Sequence, residues 1–250
     1  MYQEERLLKI LEYLNEHRKM SVHDICETLN VSRDTARRDI IKLIEQGTAI
    51  RTHGGIAIPA IRNTIKVYGE RLKSYSEGKK SIAKRALPFI HYKEHYFFDV
   101  STTISFLAEY LNEEVTVVTH SLDNIEVLSE KENVKVYSTG GYLNRDNRFF
   151  YGPDSIRYFK NMLFDAVFLG AAAIMENGIY YVDEEDACIK SAVVKRSSKV
   201  IVLAEYEKFS LSSYHKGVDL DEIDIIITDK IPPKNFLEII ESKNIEVIVI

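Results

Sequence analysis

The sequence has few of the features that mark secreted proteins and membrane proteins. Only two of its 250 residues are cysteines, Cys26 and Cys188, and they lie too far apart to predict a disulfide framework or a four-cysteine metal site. The longest apolar run, residues 166–175, is half the length of a membrane-spanning helix. The opening stretch, MYQEERLLK, is too acidic and too poor in apolar side chains for a signal peptide. We therefore expect a cytoplasmic protein without a membrane partner.

Charge is spread unevenly along the chain. The formal net charge is −5, yet residues 1–58 hold nine basic and nine acidic side chains, so the acidic excess lies in residues 59–250. An acidic total does not argue against nucleic-acid binding where positive charge is concentrated on one face. The hydrophobic content of 45% is that of a folded protein, and 250 residues allow one large domain or two smaller ones.

Three helices are predicted before Gly47. Apolar residues recur at helical spacing over residues 3–16, which predicts the first helix. Ser21 is suited to cap a short second helix, and Ser32 to cap a third that runs to about Gln46. Two short helices joined by a tight turn form the helix-turn-helix pattern. The apolar set of the third helix is Ala36, Ile40, Leu43 and Ile44.

A hairpin is predicted directly after the third helix. Two short strands, residues 49–52 and 56–58, flank His53-Gly54-Gly55, and paired glycines suit a hairpin tip that needs positive φ. Such a hairpin beside a helix-turn-helix is a wing. The pattern therefore predicts a winged helix-turn-helix DNA-binding domain over residues 1–58.

The third helix and the wing carry the candidate DNA contacts. A helix in the major groove places its N-terminal polar side chains at base edges and its basic side chains against phosphate. The alternative is a solvated helix face whose arginines pair with Asp34 and Asp39. The expected contacts to double-stranded operator DNA are Ser32, Arg33, Thr35, Arg37, Arg38, Lys42, Arg51, His53 and Gly54.

The remainder of the chain has a different pattern. Residues 59–75 show no sustained periodicity and are predicted to be a linker. Over residues 76–250, short strands that are apolar throughout alternate with helices, as in YFFDV, VTVVTH, KVIVLAE and DIIITD. This alternation is typical of a mostly parallel sheet covered by helices on both faces. The predicted fold class is therefore α/β, with the winged helix-turn-helix placed before the sheet domain.

A ligand site is predicted where these strands end. Ligands of open parallel sheets bind at the carboxyl ends of the strands, and a helix N-terminus there can bind an anion. Asp99 suits sugar hydroxyls, whereas hydroxyl side chains and Lys208 suit a phosphate. Taken singly, such serines and threonines are more often helix N-caps, and paired glycines more often mark turns. The candidate effector-binding residues are Asp99, Ser101, Thr102, Thr103, Thr119, His120, Ser121, Gly140, Gly141 and Lys208.

Residues 91–95 spell H-x-x-E-H, a pattern found in some zinc proteases. Zinc binding would require both histidines on one face of a helix, but Pro88 precedes them and a strand is predicted from about Tyr96. We expect His91 and His95 to be exposed loop residues. No metal and no cofactor is predicted.

The sequence resembles the DeoR family of bacterial transcriptional repressors along nearly its whole length. The resemblance is carried by VSRDTARRDIIKLIEQGTAIRTHGGIA, where Ala36 replaces a larger aliphatic residue, and by residues 99–103, 119–120, 140–141 and 168–197. Ser101 stands where the family usually has glycine, His120 where it has asparagine, and Glu207 where a hydroxyl precedes the lysine retained at Lys208. The resemblance implies an effector domain related in fold to ribose-5-phosphate isomerase and CoA transferases. It also implies a sugar-phosphate effector, an oligomer and regulation of carbohydrate use.

Two other functions remain open at this point. The second domain could isomerise a sugar phosphate, with Asp99, Glu184, Glu185 or Asp186 as general base. It could also be a plain interaction module in which the sheet is only a dimerisation platform. A homodimer or homotetramer bound to paired DNA half-sites is the expected assembly, because a single winged helix makes a small interface.

Overall fold

The structure is a computed structural model that describes residues 3–17, 19–45, 49–52, 54–57 and 77–250. The chain divides into two compact units, residues 1–64 and 65–250. The predicted linker at 59–75 lies outside the described residues, so the boundaries 1–58, 59–75 and 76–250 remain predictions. No described helix is long and apolar enough to cross a membrane.

The first unit contains the three predicted helices. They are α1 (Gln3–His17), α2 (Val22–Leu29) and α3 (Arg33–Glu45). Ser21 caps α2, since its Oγ accepts from the Asp24 backbone N–H at 3.0 Å while the Asp24 carboxylate accepts from the Ser21 N–H at 2.9 Å. Asn30 ends α2 in the left-handed conformation, with φ of 51°, and so forms the turn before α3. The predicted apolar set of α3 packs inward, with Ala36, Ile40 and Leu43 buried and Ile44 half-buried.

The wing is a three-stranded antiparallel sheet rather than a simple hairpin. Strands β2 (Ile50–Thr52) and β3 (Gly55–Ala57) were expected, but β1 (Lys19–Ser21) pairs with the other side of β3. Gly55 lies within β3, where a Cβ would be 2.2 Å from the carbonyl oxygen of Met20. The prediction that both glycines form the tip is therefore wrong. Only Gly54 of the pair has positive φ, at +96°, and Gly55 is required by the close approach of β1.

The second unit is built on a parallel sheet, as predicted, and this sheet has seven strands. Their bounds are β4 His95–Phe98, β5 Val115–Thr119, β6 Val134–Ser138, β9 Ala166–Leu169, β12 Val200–Leu203, β14 Ile225–Thr228 and β15 Glu246–Val249. The strands stand in the order β15-β14-β12-β9-β4-β5-β6, and every neighbouring pair is parallel.

Two apolar clusters cover the faces of this sheet. Along β4, Tyr96 and Phe98 belong to one cluster while Phe97 belongs to the other, as the two-residue repeat of a strand requires. Helices close both layers, which explains why the strands are apolar throughout. The helices of this unit are α4 Glu77–Ala86, α5 Thr102–Tyr110, α6 Leu122–Ser129, α7 Pro153–Tyr158, α8 Glu184–Val194 and α9 Lys234–Ser242.

Two small antiparallel additions were not predicted. Strands β7 (Tyr142–Asn144) and β8 (Phe149–Tyr151) form a hairpin. Strands β10 (Ala173–Met175), β11 (Gly178–Tyr181) and β13 (His215–Val218) form a separate sheet. Three- and four-residue strands give too short an alternation to be recognised in the sequence.

The H-x-x-E-H segment agrees with the expectation at one of its two histidines. His91 is exposed in a turn, but His95 is the exposed first residue of β4, so the expectation of a loop at that position is wrong. The described residues contain no group of three or more side chains able to hold a metal ion.

Candidate DNA-binding and effector sites

The N-terminal end of α3 presents polar and basic side chains to solvent. Ser32 Oγ accepts from the Thr35 backbone N–H at 3.3 Å and lies 3.0 Å from Thr35 Oγ1, so it caps the helix. Arg33, Arg37 and Arg38 are exposed. None of these three arginines has a carboxylate partner among the residues that the structure describes.

The carboxylate next to this arginine pair faces the interior instead. Asp39 is fully buried, and its oxygens accept from Arg6 Nε at 2.7 Å, Arg6 Nη2 at 3.0 Å and Gln3 Nε2 at 3.1 Å. The hydrogen bond to Asp39 raises the pKa of Arg6 further above its already high range. The alternative in which Arg37 or Arg38 pairs with Asp39 is therefore wrong.

The other predicted DNA contacts differ in how free they are. Lys42 is half-buried, and its Nζ donates to Gln3 Oε1 of α1 at 3.1 Å. Arg51 is exposed on β2, and Gly54 is exposed at the turn between β2 and β3. The Gly54 carbonyl accepts from the Val22 backbone N–H at 2.9 Å, which ties the wing to the start of α2. His53 lies outside the described residues.

In the second unit, Asp99 and His120 follow directly after two neighbouring strands. The last residues of these strands, Phe98 of β4 and Thr119 of β5, are register partners. Asp99 and His120 therefore stand next to each other at the same edge of the sheet. Both residues are fully buried.

A buried ionic chain joins these two residues through α8. Lys190 Nζ lies 3.0 Å from Asp99 Oδ2 and 2.8 Å from Asp186 Oδ2, and Asp186 Oδ1 lies 2.9 Å from His120 Nε2. The Lys190 side chain is 3% exposed, so water screens these contacts little. Its ammonium also lies 3.7 Å from the centroid of the Tyr181 ring, within cation–π distance.

The protonation states in this chain follow from its charges. Burial raises the pKa of Asp186, but the Lys190 charge and the His120 hydrogen bond outweigh it and hold that pKa at about 2. Burial, followed by the charges of Asp99 and Asp186, raises the pKa of Tyr181 well above its usual value. The neutral Tyr181 hydroxyl donates to the Gly170 carbonyl at 3.1 Å.

Two polar atoms of the buried ionic chain have no partner among the residues that the structure describes. They are Asp99 Oδ1 and His120 Nδ1, and both are buried. Buried polar groups in folded proteins are almost always hydrogen-bonded, so these two atoms are candidate contacts to a ligand. Their position at the strand ends is the one expected for a ligand in a parallel sheet.

Gly170, which directly follows β9, holds Asp99 in place. Its N–H donates to Asp99 Oδ2 at 2.8 Å. A Cβ on Gly170 would lie 2.4 Å from both Cβ and Oγ of Ser101, so only glycine allows this approach.

Several predicted effector hydroxyls are engaged within the chain. Ser101 Oγ accepts from the Thr103 and Ile104 N–H groups and caps α5, and Ser121 Oγ accepts from the Asn124 N–H and caps α6. Thr119 Oγ1 donates to the Phe98 carbonyl at 2.6 Å and accepts from the Ser121 N–H at 3.1 Å. These side chains position the loops that carry Asp99 and His120. Thr102 and Thr103 are buried in the first turn of α5.

The remaining predicted effector residues lie in other loops at the strand ends. Gly140 and Gly141 have φ of +64° and +103°, and the Gly140 carbonyl accepts from Ser155 Oγ at 2.9 Å. Lys208 lies in a 3-10 helix after β12, with its Nζ 2.8 Å from Glu207 Oε1. Among the residues that the structure describes, no hydrogen bond or ion pair joins these three residues to the buried ionic chain of Asp99, Lys190, Asp186 and His120.

Sequence reasoning missed Lys190 and did not recognise how Asp186 is used. The two stand four residues apart on α8. Such a spacing is usually an exposed ion pair. The signal that could have distinguished this pair from an exposed one is the presence of the apolar residues Ala187 and Ile189 between them, both of which are buried.

A winged helix with an exposed basic helix, on one chain with a parallel-sheet domain that carries a candidate ligand site, is the arrangement of a DNA-binding regulator with a sensor domain. The sequence matches the DeoR-like helix-turn-helix domain over residues 6–62 and the DeoR C terminal sensor domain over residues 74–230. The chain therefore belongs to the DeoR family of transcriptional regulators, as its motifs predicted. Its partners are accordingly DNA and a small-molecule effector, and it is a regulator rather than an enzyme.

Curated relatives align with the chain from end to end. The HTH-type transcriptional repressor GlcR of Bacillus subtilis (strain 168) is 39% identical over 250 residues, which are 100% of this chain and 97% of that protein. The putative aga operon transcriptional repressor of Escherichia coli O157:H7 is 30% identical, over 98% of this chain and 93% of its own. The HTH-type transcriptional regulator GlpR of Haloferax volcanii is 31% identical, over 98% and 96%.

A solved ribose 5 phosphate isomerase A from Neisseria gonorrhoeae has 18% sequence identity to the chain and a TM-score of 0.39. It covers 55% of this chain and 53% of its own. A similarity of this size supports no conclusion about function.

Proposed function

We propose that this protein is a cytoplasmic repressor of a carbohydrate-utilisation operon, released from its operator by a phosphorylated sugar. Relatives named as transcriptional repressors, one of them of an operon, support the repressor assignment. The observation that carries the effector assignment is the pair of buried, unpartnered atoms, Asp99 Oδ1 and His120 Nδ1, at adjacent strand ends.

The DNA contacts are assigned to the polar and basic side chains at the N-terminal end of α3 and to the wing. Ser32, Arg33 and Thr35 at the N-terminal end of α3 read base edges, and Arg37 or Arg38 contacts phosphate. Arg51 and Gly54, with His53, place the wing against the DNA backbone. Lys42 contributes only if DNA displaces its hydrogen bond to Gln3. Each phosphate contact releases counterions, so affinity falls steeply with salt.

The effector is assigned to the carboxyl ends of β4 and β5. Asp99 and His120 bind sugar hydroxyls, and the N-terminal turn of α5, with Thr102 and Thr103, supplies backbone N–H groups to the phosphate. Lys208 and the Gly140–Gly141 turn approach the phosphate from the neighbouring loops. The caps formed by Ser101, Thr119 and Ser121 hold these loops in position.

The assembly is a homodimer or homotetramer bound to two half-sites. A single winged helix buries a small interface on DNA, and a second copy supplies the missing affinity and specificity. For the sugar phosphate to release DNA, it must bind one arrangement of the two units more tightly than the other.

Calorimetric titration of the full chain with triose to hexose phosphates, each beside its free sugar, tests the effector assignment. We expect one phosphate ester to bind and its free sugar to bind far more weakly. Asp99→Asn should weaken that ester by roughly tenfold, because it removes a charge-assisted hydrogen bond. Asp146→Asn, at an exposed carboxylate, is the matched control. Failure of every phosphate to bind the wild type would overturn the assignment.

A further inference from the structure

We infer that the buried end of the effector site accepts only hydrogen-bond donors, and therefore takes the uncharged hydroxyl end of its ligand and rejects a carboxylate or phosphoryl group there. This inference rests on the proposed function, because it specifies the ligand end that contacts Asp99 and His120. It distinguishes phosphorylated sugars from phosphorylated sugar acids.

The two orphaned atoms belong to one small region. Asp99 and His120 directly follow register partners on adjacent parallel strands. Lys190 contacts Asp99 and Asp186 contacts His120, so the buried ionic chain fixes both side chains. The His120 ring is also stacked on Phe97, with centroids 5.4 Å apart and planes 16° apart. Neither side chain can turn its free atom to another partner without breaking these contacts.

The free atom of His120 is an acceptor in the neutral form of the ring. Asp186 is an ionised carboxylate, so it can only accept, and His120 Nε2 must carry the proton that it donates. When the imidazole is neutral, this is its single proton, and Nδ1 has only a lone pair. The inference holds for this form of His120, in which a ligand atom at Nδ1 must donate.

The free atom of Asp99 is an acceptor as well. Its other oxygen, Oδ2, already receives the Gly170 N–H and the Lys190 ammonium, the groups expected around an ionised carboxylate. Oδ1 of an ionised carboxylate has lone pairs and no proton. Two neighbouring acceptors match the hydrogens of hydroxyl groups and do not match carboxylate oxygens.

Charge acts in the same direction. With Asp99 and Asp186 ionised, Lys190 protonated and His120 neutral, the buried ionic chain is negative by one. Further carboxylates stand at the start of α8. Burial raises the pKa of Asp183 there, and the negative charges of Asp186 and Glu185 raise it further. A second anion brought to this end of the site would be poorly screened and repelled.

The test is calorimetry on the full chain at pH 8, with the neutral sugar phosphate that binds most tightly in the panel. It is compared with the phosphorylated sugar acid that carries a carboxylate at the carbon farthest from the phosphate. We expect the acid to bind at least 30-fold more weakly. Equal affinity for the two would overturn this inference and leave the proposed function standing. If no sugar phosphate binds, both fall.

Two substitutions of His120 separate its acceptor from its structural contact. His120→Gln can keep an amide donor for Asp186 but lacks the acceptor at Nδ1, whereas His120→Asn keeps an acceptor near Nδ1 and loses the contact with Asp186. We expect His120→Gln to bind the neutral ligand at least tenfold more weakly than His120→Asn. A structural role alone predicts the reverse order, and that result would contradict the role of Nδ1.

Asp99→Asn gives a second, selective readout. It removes the negative charge and introduces an N–H donor, so the preference for the neutral ligand over the acid should shrink at least fivefold. A variant that merely loosened the site would weaken both ligands together and leave the ratio unchanged, which would contradict the account.

Discussion

Arg6 of α1 donates to the buried carboxylate of Asp39 in α3, with Nε 2.7 Å from Oδ2 and Nη2 3.0 Å from Oδ1. This ion pair takes up the one carboxylate that stands next to Arg37 and Arg38 in the sequence. The two arginines consequently have no acidic partner in the described residues. Their positive charge is available to an external polyanion.

Arg38→Ala should weaken operator binding by tenfold or more while leaving the fold intact, since a good contact to a base or a phosphate contributes about 1–3 kcal/mol. Fluorescence anisotropy on operator DNA at several salt concentrations measures the change. Arg85→Ala, which removes an exposed arginine from the second unit, is the control. Unchanged DNA affinity in Arg38→Ala would refute the assignment of α3 as the helix that contacts DNA.

Arg6→Met should also reduce DNA affinity, but through stability. It leaves the fully buried Asp39 carboxylate without its cation, which destabilises the packing of α1 on α3. Hydrogen exchange on the full chain should show roughly tenfold or greater loss of protection in α3. Wild-type protection of α3 in Arg6→Met would mean that the ion pair is not needed to hold the helix. Arg38→Ala is the control, and we expect it to keep wild-type protection.

Lys190→Met should destabilise the second unit by about 3–5 kcal/mol, because it leaves two buried carboxylates facing each other without their cation. Denaturant unfolding, followed by hydrogen exchange within residues 77–250, measures this change. Lys216→Met removes an exposed lysine paired with Asp219 and should have little effect. Equal stability of the two variants would show that Lys190 is not the centre of the buried chain.

The stability of the second unit should depend on the protonation of Asp186. Its pKa is lowered from 3.8 to about 2 on folding, so the ionised form is favoured in the folded state. This contribution, on the order of 2 kcal/mol, is complete above pH 5 and is lost as the pH falls through about 4 towards 2. Unfolding free energies measured from pH 6 to pH 3 should fall less steeply for Asp186→Asn than for the wild type. Asp154→Asn, at an exposed carboxylate, should follow the wild type.

Much of this architecture is encoded locally. Apolar periodicity and the Ser21 and Ser32 caps predict the three helices of the first unit, and continuous apolar runs predict the parallel sheet. Strand ends predict the placement of Asp99 and His120, because parallel strands bring their carboxyl ends to one edge.

What the sequence does not reveal depends on tertiary partners. Strand β1 exists only through its pairing with β3, and three residues carry no strand signal. Lys190 has the spacing of a surface ion pair, and only the packing of α8 shows that it is buried between Asp99 and Asp186. Likewise, Asp39 follows two arginines in sequence, but the turn of the helix points it at Arg6.

The most direct test of the repressor account is fluorescence anisotropy of the protein on DNA from upstream of its own gene, titrated with sugar phosphates. The account predicts tight, salt-sensitive binding that one phosphate ester reverses and its free sugar does not. DNA binding that no ester alters would contradict the account. A response of Asp99→Asn equal to that of the wild type would contradict the assignment of Asp99 to the sugar-phosphate sensor.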